Sequence, residues 1–191
     1  KLMVTYDLVL ESSMWLAAAE TRSVMNVPLR ELLRIRSAYP YFVLKNPPPS
    51  QRKVWAVENS GVFSSLLDAV PDVPLICTHG QFKLAALKLM DCLVASGCEI
   101  YYSGDYDPEG LLMAQRLKER YGQAVHFWLM NPDDYVRSQP NVPLDQVRLS
   151  KMDAITEPEL LSLAAAIANT GKAGYQEAIL PDLIADLKQI T

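Results

Sequence analysis

The chain has 191 residues, half of them apolar and 21% charged, and its formal net charge is −4. This composition excludes a disordered acidic or basic tail, because charges of both signs are interspersed and the apolar residues suffice for a substantial core. It also excludes a membrane anchor, since no apolar run approaches the roughly 20 residues that a membrane-spanning helix needs.

The cysteines and the first residue indicate where the protein works. Cys77, Cys92 and Cys98 are odd in number and lack close metal-ligand spacing, so we expect core-filling thiols in a reducing compartment. The chain begins with Lys rather than Met, and it has no leader with a cleavage site. We therefore expect a fragment of a longer cytoplasmic protein, whose amino-terminal region is missing from this chain.

The first quarter of the chain differs in character from the rest. Residues 1–37 are predicted to be mainly helical, because they are rich in helix formers and Pro28 suits a first helical turn. Prolines then accumulate in residues 37–52, and consecutive prolines exclude regular structure. The pattern predicts an N-terminal helical and linker region, residues 1–50, followed by a main domain, residues 51–191.

In the main domain, short apolar segments alternate with amphipathic ones. Strands are predicted at residues 54–57, 74–77, 99–103 and 125–130, and helices at residues 62–67, 82–96, 108–121, 157–168 and 175–189. Strands and helices that alternate at this spacing form right-handed crossovers. The predicted fold class is therefore α/β and Rossmann-like: a parallel four-stranded sheet flanked by helices, with an N-terminal helical extension and C-terminal helices.

Acidic residues follow two of the predicted strands. Glu58 comes directly after the first strand, and Asp105 and Asp107 come after the third. The ligand site of a parallel sheet lies beyond the carboxyl ends of its strands, so we expect these carboxylates to approach one another. They would repel unless a cation compensates them or one is protonated. Oxygen ligands without Cys or His favour Mg²⁺ or Mn²⁺, which can orient a phosphodiester and activate a nucleophile.

A purely structural alternative explains part of this pattern. Asp107 precedes Pro108 and is a good helix N-cap, and Glu109 then suits the positive end of the helix dipole. Neither role applies to Asp105 or Glu58, which follow otherwise apolar strands. Glu58 could hold the metal or transfer a proton.

Basic and imidazole side chains are further candidates for phosphate contacts. His79 follows the second strand, and Lys83 lies in the first turn of the next helix, although a loop histidine and a surface lysine are the alternatives. Between Arg22 and Lys53 there are seven basic residues and one acidic residue, which gives a local charge of +6. Such a segment can bind a nucleic-acid backbone or form a solvated surface.

Two motifs resemble those of the Toprim family. Residues 55–63, Trp-Ala-Val-Glu-Asn-Ser-Gly-Val-Phe, look like the first Toprim motif, and residues 103–110, Ser-Gly-Asp-Tyr-Asp-Pro-Glu-Gly, look like its Asp-x-Asp motif. The proline and glycine after the acidic pair are most similar to the A subunit of topoisomerase VI and its meiotic relative. Residues 175–187 resemble bacterial Toprim proteins, some of which cut DNA beside SMC-like ATPases in the Wadjet plasmid-defence system.

This resemblance implies a Toprim domain in which Glu58 is the general acid or base and also binds metal. It implies that Asp105 and Asp107 bind Mg²⁺, that DNA is the substrate, and that SMC-like ATPase subunits are partners. Water-driven hydrolysis by a plasmid-defence nuclease is the expected function. Topoisomerase-like transesterification and a catalytically silent DNA-binding or assembly module are the alternatives, and a homodimer is left open.

Two departures from the family pattern qualify the resemblance. The Toprim Glu is commonly followed by Gly, whereas here Asn59 and Ser60 intervene before Gly61. The tyrosine that topoisomerases use to attack DNA lies in a separate domain, and no tyrosine of this chain matches it. Because that domain is separate, the sequence leaves hydrolysis and transesterification open.

Overall fold

The computed structural model describes residues 2–4, 8–10, 15, 17–18, 23–40, 52–80 and 83–190. Within these residues the strands are β1 Leu2–Val4, β2 Leu8–Leu10, β3 Met25–Val27, β4 Ala38–Pro40, β5 Lys53–Val57, β6 Leu75–Cys77, β7 Glu99–Ser103, β8 Val125–Phe127, β9 Val142–Pro143 and β10 Lys172–Ala173. The α-helices are α1 Leu29–Leu32, α2 Ser60–Ala69, α3 Leu84–Ala95, α4 Pro108–Tyr121, α5 Pro132–Arg137, α6 Gln146–Leu149, α7 Leu161–Thr170 and α8 Leu180–Ile190. Short 3-10 helices cover Gly122–Ala124, Ser150–Ala154, Pro158–Leu160 and Gln176–Ile179.

The main sheet has six strands in the order β3-β1-β6-β5-β7-β8. Its four central and outer strands, β6-β5-β7-β8, are all parallel, whereas β1 pairs antiparallel with both β6 and β3. Two small antiparallel pairs, β2 with β4 and β9 with β10, lie outside this sheet. The structure thus confirms the predicted α/β class with a four-stranded parallel sheet flanked by helices.

The parallel strands are mainly apolar because helices cover both faces of the sheet. All three residues of β6 are buried, as are four of the five residues of β5. Phe63 and Leu66 of α2 and Leu89 of α3 are completely buried against this sheet core. The three cysteines are free and buried, as expected for core-filling thiols. This packing holds the carboxyl ends of the strands in fixed positions.

The strand order creates a crevice at one edge of the sheet. From β5 the chain passes through α2 to β6 on one side, and from β7 it passes through α4 to β8 on the other. Because the loops after β5 and β7 leave in opposite directions, a crevice opens between them, which is where open α/β sheets bind ligands. Val57 pairs with Ser103, so Glu58 and Gly104 are the next residues on adjacent strands.

The N-terminal region differs from the prediction. Residues 1–37 were expected to be mainly helical, but their described part contributes β1, β2 and β3. Helix is described there at Trp15, Ala17, Ala18 and in the four residues of α1. In β3 the buried Met25 and Val27 flank an exposed Asn26, a period-two pattern too short to distinguish from helix by sequence. The proline-rich residues 41–51 lie outside the described residues, and the boundary at residue 50 stays a prediction.

The C-terminal helices are present, each preceded by a 3-10 turn. The helices predicted at residues 157–168 and 175–189 correspond to Pro158–Leu160 with α7 and to Gln176–Ile179 with α8. The sequence pattern did not predict α5, α6 or the β9–β10 pair. Strand β8 ends at Phe127, three residues before the predicted end. None of the helices in the described part of the chain is long and apolar enough to cross a bilayer.

Candidate active site

Glu58 and Asp105 lie side by side in the crevice between β5 and β7. The backbone N–H of Asp105 donates a long hydrogen bond, 3.5 Å, to Oε2 of Glu58. Both side chains line an open cleft of about 310 Å³, together with Asn59, Ser60, His79 and Gly80. The sequence placed these two carboxylates at one edge of the sheet, and the structure brings them into one cleft.

The two carboxylates are difficult to ionise. Burial, and after it the charge of Asp105, raise the pKa of Glu58 from 4.5 to about 7, against hydrogen bonds from the Asp105 N–H and the Tyr102 hydroxyl. Burial likewise raises the pKa of Asp105 to about 6, although the backbone N–H of Gln176 donates to its Oδ1 at 2.9 Å. Among the described residues, no basic side chain forms an ion pair with either carboxylate. The pair therefore lacks a counter-charge.

Asp107 is turned away from this pair. Its Oδ1 accepts the N–H of Gly110 at 2.7 Å, which caps α4, and its Oδ2 accepts a hydrogen bond from Arg148 at 2.6 Å. It does not line the cleft of Glu58 and Asp105. The structure thus shows the capping role that the sequence suggested, and it joins two rather than three of the predicted metal ligands in the cleft.

Glu109 is held by two cations. Arg148 contacts its Oε2 through Nε at 3.1 Å and through a terminal nitrogen at 2.6 Å, and Nζ of Lys151 lies 2.6 Å from its Oε1. Although burial raises it, these hydrogen bonds lower the pKa of Glu109 to about 2. The contacts of Arg148 and Lys151 with Glu109 could not be predicted from sequence, because the two residues lie 39 and 42 positions away from Glu109.

Two glycines permit the close packing around the carboxylates. A Cβ at Gly104 would lie 2.8 Å from the Tyr102 hydroxyl oxygen and 3.1 Å from Oε2 of Glu58. A Cβ at Gly110 would lie only 2.2 Å from the carbonyl oxygen of Asp105. Since such contacts are sterically forbidden, the second glycine allows α4 to begin directly behind Asp105.

The segment of residues 174–177 closes one side of the cleft. Gly174 exchanges two backbone hydrogen bonds with Tyr106, at 2.9 and 3.1 Å, in an isolated bridge. Two residues later Gln176 donates to Asp105, and Oε1 of Glu177 accepts a hydrogen bond from Asn59 at 2.5 Å. From the sequence, this segment was singled out only for its resemblance to bacterial Toprim proteins, and its contacts with the site were not predicted.

The two further candidates for phosphate contacts, His79 and Lys83, differ in their placement. His79 lines the cleft in a left-handed conformation with φ 55°, and its Nε2 is buried without a hydrogen-bond partner among the described residues. Burial lowers the pKa of His79, which favours the neutral imidazole. Lys83 is exposed at the start of α3 and does not line the cleft. His79 is therefore the better placed of the two for contact with a ligand.

The described part of the basic segment between Arg22 and Lys53 does not border the cleft. Lys53 begins β5 at the opposite edge of the sheet, where its Nζ lies 5.1 Å from the centre of the Tyr101 ring. Arg52 donates a hydrogen bond to the carbonyl oxygen of Ser96. Arg22, like Lys45, lies outside the described residues.

The donor set of the cleft fits a hard divalent cation. Within the described ranges, no three His, Cys, Asp or Glu side chains are grouped to hold a metal. Mg²⁺, however, is commonly bound by one or two carboxylates, with water and substrate phosphate as the remaining ligands. Glu58 and Asp105 provide two desolvated carboxylates that need positive charge, and these two residues would hold the ion.

Together, the fold and the site define an α/β protein with a pair of half-buried carboxylates at the point where the strand order of its sheet reverses. Comparison with protein families matches residues 25–187 to the family described as "Protein of unknown function C-terminus (DUF2399)". The chain belongs to this family. The matched residues extend from β3 to α8 and include every residue of the cleft. No curated protein matches the chain.

Proposed function

We propose that the chain is the catalytic domain of a magnesium-dependent DNA endonuclease of the Toprim type, which its motifs resemble. The observation that carries this proposal is the pair Glu58 and Asp105, two half-buried carboxylates that form no ion pair with any described residue and lie in an open cleft. Buried groups with strongly perturbed pKa values gather at functional sites. A divalent cation and a phosphodiester together would supply the missing charge and the substrate.

The residues of the cleft would have different roles in cleavage. Glu58, with a pKa of about 7, can accept a proton from attacking water or return one to the leaving oxygen near neutral pH. Asp105 would hold the ion, and a bound Mg²⁺ would orient the phosphodiester and stabilise the charge that develops on the leaving oxygen. His79, which also lines the cleft, would contact a phosphate oxygen.

We also propose that the domain acts within an SMC-linked plasmid-defence complex, with SMC-like ATPase subunits as partners. The support is the resemblance of residues 175–187 to Toprim proteins of such systems. Residues 174–177, which overlap this motif, contact the cleft through Gln176 and Glu177. A preceding region of the same protein would help to position DNA.

A catalytically silent DNA-binding or assembly module is the second candidate. One observation favours it: Arg148 binds Asp107, which leaves two carboxylates rather than three in the cleft. A silent module would bind DNA without any metal-dependent cleavage by the parent protein, so the same assay separates the two candidates.

The test is metal-dependent nicking of supercoiled plasmid by the complete complex. Glu58→Gln and Asp105→Asn should each abolish nicking, while circular dichroism shows that both proteins fold. Asp68→Asn and Glu119→Gln are matched controls, because both residues are exposed and lie outside the cleft. Unchanged nicking by both cleft variants would refute the assignment of the site.

A further inference from the structure

A second cavity, of about 310 Å³, lies on the flank of α4. Its lining consists of Glu109, Leu112, Met113, Arg116 and Lys151, and we call it the basic cavity. Four of these residues follow the i, i+3, i+4, i+7 spacing that places side chains on one face of a helix. Lys151 comes from the neighbouring 3-10 helix Ser150–Ala154. The cavity thus has two cationic side chains and one acidic side chain.

The basic cavity and the acidic cleft are joined by one chain of ionic contacts. Arg148 bridges Asp107 and Glu109, and Glu109 also lines the basic cavity beside Lys151. Asp107 in turn lies two residues after Asp105. The two cavities are therefore connected through side chains at the start of α4.

The charge of the basic cavity is not fully compensated. Arg116 is exposed and forms no ion pair or side-chain hydrogen bond with any described residue. Arg116, Arg148 and Lys151 carry three positive charges against the two negative charges of Asp107 and Glu109. This local excess contrasts with the net charge of −4 for the whole chain. An exposed guanidinium without a partner, beside a cavity, is suited to bind a phosphate group.

We propose that the basic cavity binds a backbone phosphate of the DNA strand that occupies the cleft, through Arg116 and Lys151. This inference rests on the proposed function and adds the residues that hold the substrate. Lys53 of the basic segment is a poorer candidate, because β5 separates it from Glu58 by about 17 Å at the usual rise per strand residue. Its Nζ also lies 5.1 Å from the centre of the Tyr101 ring. Phosphate contacts of this kind position the strand without reading its sequence.

The test is the salt dependence of DNA binding, measured without cleavage. Fluorescence anisotropy reports the affinity of the chain for a short labelled duplex in EDTA, over salt concentrations from about 50 to 200 mM. Arg116→Ala and Lys151→Ala should each weaken binding and reduce the slope of log K against log salt by about 0.9 for each lost phosphate contact. Arg116→Lys should recover most of the slope, because it restores the charge.

The control is Arg34→Ala, which removes an exposed arginine from the basic segment and lies outside both cavities. It should leave the slope unchanged. Arg116→Ala removes no ion pair of the described structure, so its effect is not a consequence of a broken contact, as it could be for Lys151→Ala.

Two outcomes would overturn the inference. Equal slopes for the parent chain and Arg116→Ala would show that the basic cavity does not contact phosphate, and a larger loss in Arg34→Ala would move the contact to the basic segment. If nicking still requires Glu58 while the slopes are equal, the inference fails and the proposed function survives. If the parent chain shows no affinity for DNA, the inference fails, and nicking by the complete complex decides the proposed function separately.

Discussion

Two halves of one acidic cluster have opposite electrostatics. Glu58 and Asp105 are half-buried without an ion-pair partner among the described residues, and their pKa values rise to about 7 and about 6. Glu109, only four residues after Asp105, is held by Arg148 and Lys151, and its pKa falls to about 2. The difference shows that counter-charge rather than residue type decides how a carboxylate behaves at this edge of the sheet.

The two halves also differ in what they contribute to the fold. Ionisation of the unpaired half, Glu58 and Asp105, is unfavourable, so folding alone gives no reason to place two carboxylates there. The paired half fastens α6 and the following 3-10 helix to the start of α4. We therefore expect substitutions in the two halves to affect stability with opposite signs.

The largest expected effect is at Glu58, where a substitution should lower nicking activity and raise stability. Glu58→Gln should reduce metal-dependent nicking by about 10²- to 10⁴-fold, because it removes the group that transfers protons. Without metal at about pH 8, the same change should raise the free energy of unfolding by roughly 1–3 kcal/mol, since a buried charge is lost. Urea denaturation and plasmid nicking measure the two quantities.

Glu109→Gln is the matched opposite, because it should lower the free energy of unfolding at the same pH. If Glu58→Gln also destabilises the protein by a similar amount, the contrast between the two halves is wrong.

The next largest effect concerns the glycine behind Asp105. Gly110→Ala should destabilise the protein by about 3 kcal/mol, because its Cβ would meet the carbonyl oxygen of Asp105 at 2.2 Å and displace α4. Gly61→Ala is the control, since its Cβ would meet only the Asn59 side chain, at 3.1 Å. Thermal unfolding followed by circular dichroism distinguishes the two, and equal midpoints would show that α4 does not pack as described.

The four parallel strands and the acidic pair could be predicted from sequence for a simple reason. Each strand is a short apolar run followed by an amphipathic helix, and Glu58 and Asp105 are polar residues directly beyond such runs. Strand ends in a parallel sheet share an edge, so proximity follows from topology. The orientation of Asp107 could not be deduced, because helix capping and metal binding both favour an acidic residue at this position.

The rest depends on contacts between distant parts of the chain. Arg148 and Lys151 reach Glu109 from 39 and 42 residues away, out of a segment without strand or helix periodicity. Strand β1 pairs with β6 through residues more than 70 positions apart. Three-residue strands carry too little pattern to reveal such a pairing, which is why the N-terminal region was predicted as helix.

A smaller effect is expected from pH. The folded pKa values of Glu58 and Asp105, about 7 and about 6, exceed their ordinary values of 4.5 and 3.8, so the native state retains protons that the unfolded chain releases. The free energy of unfolding should therefore fall by a few kcal/mol as the pH rises from about 4 to about 8. Urea midpoints across this range test it.

In the same experiment, added Mn²⁺ should reverse the loss at high pH, because the ion binds the ionised form. Stability that rises with pH from about 5 to about 8 in the absence of metal would contradict the pKa values of the pair.

The smallest effect on stability is expected for the half that is paired with cations, Asp107 and Glu109. Arg148→Ala should lower the free energy of unfolding by about 1 kcal/mol, because its ion pairs are partly exposed and are screened by solvent. The loss should shrink in about 1 M salt, where such pairs are already weak. A salt-independent loss would indicate that the side chain contributes through packing instead of charge.

The central claim is that Glu58 and Asp105, rather than the paired carboxylates, hold the divalent cation. Mn²⁺ binding at about pH 8, followed by loss of the free-ion paramagnetic resonance signal, tests it most directly. Glu58→Gln and Asp105→Asn should each weaken binding by about tenfold or more, and Glu109→Gln should leave it unchanged. Equal Mn²⁺ affinity in the parent chain and both cleft variants, or a loss confined to Glu109→Gln, would contradict the account.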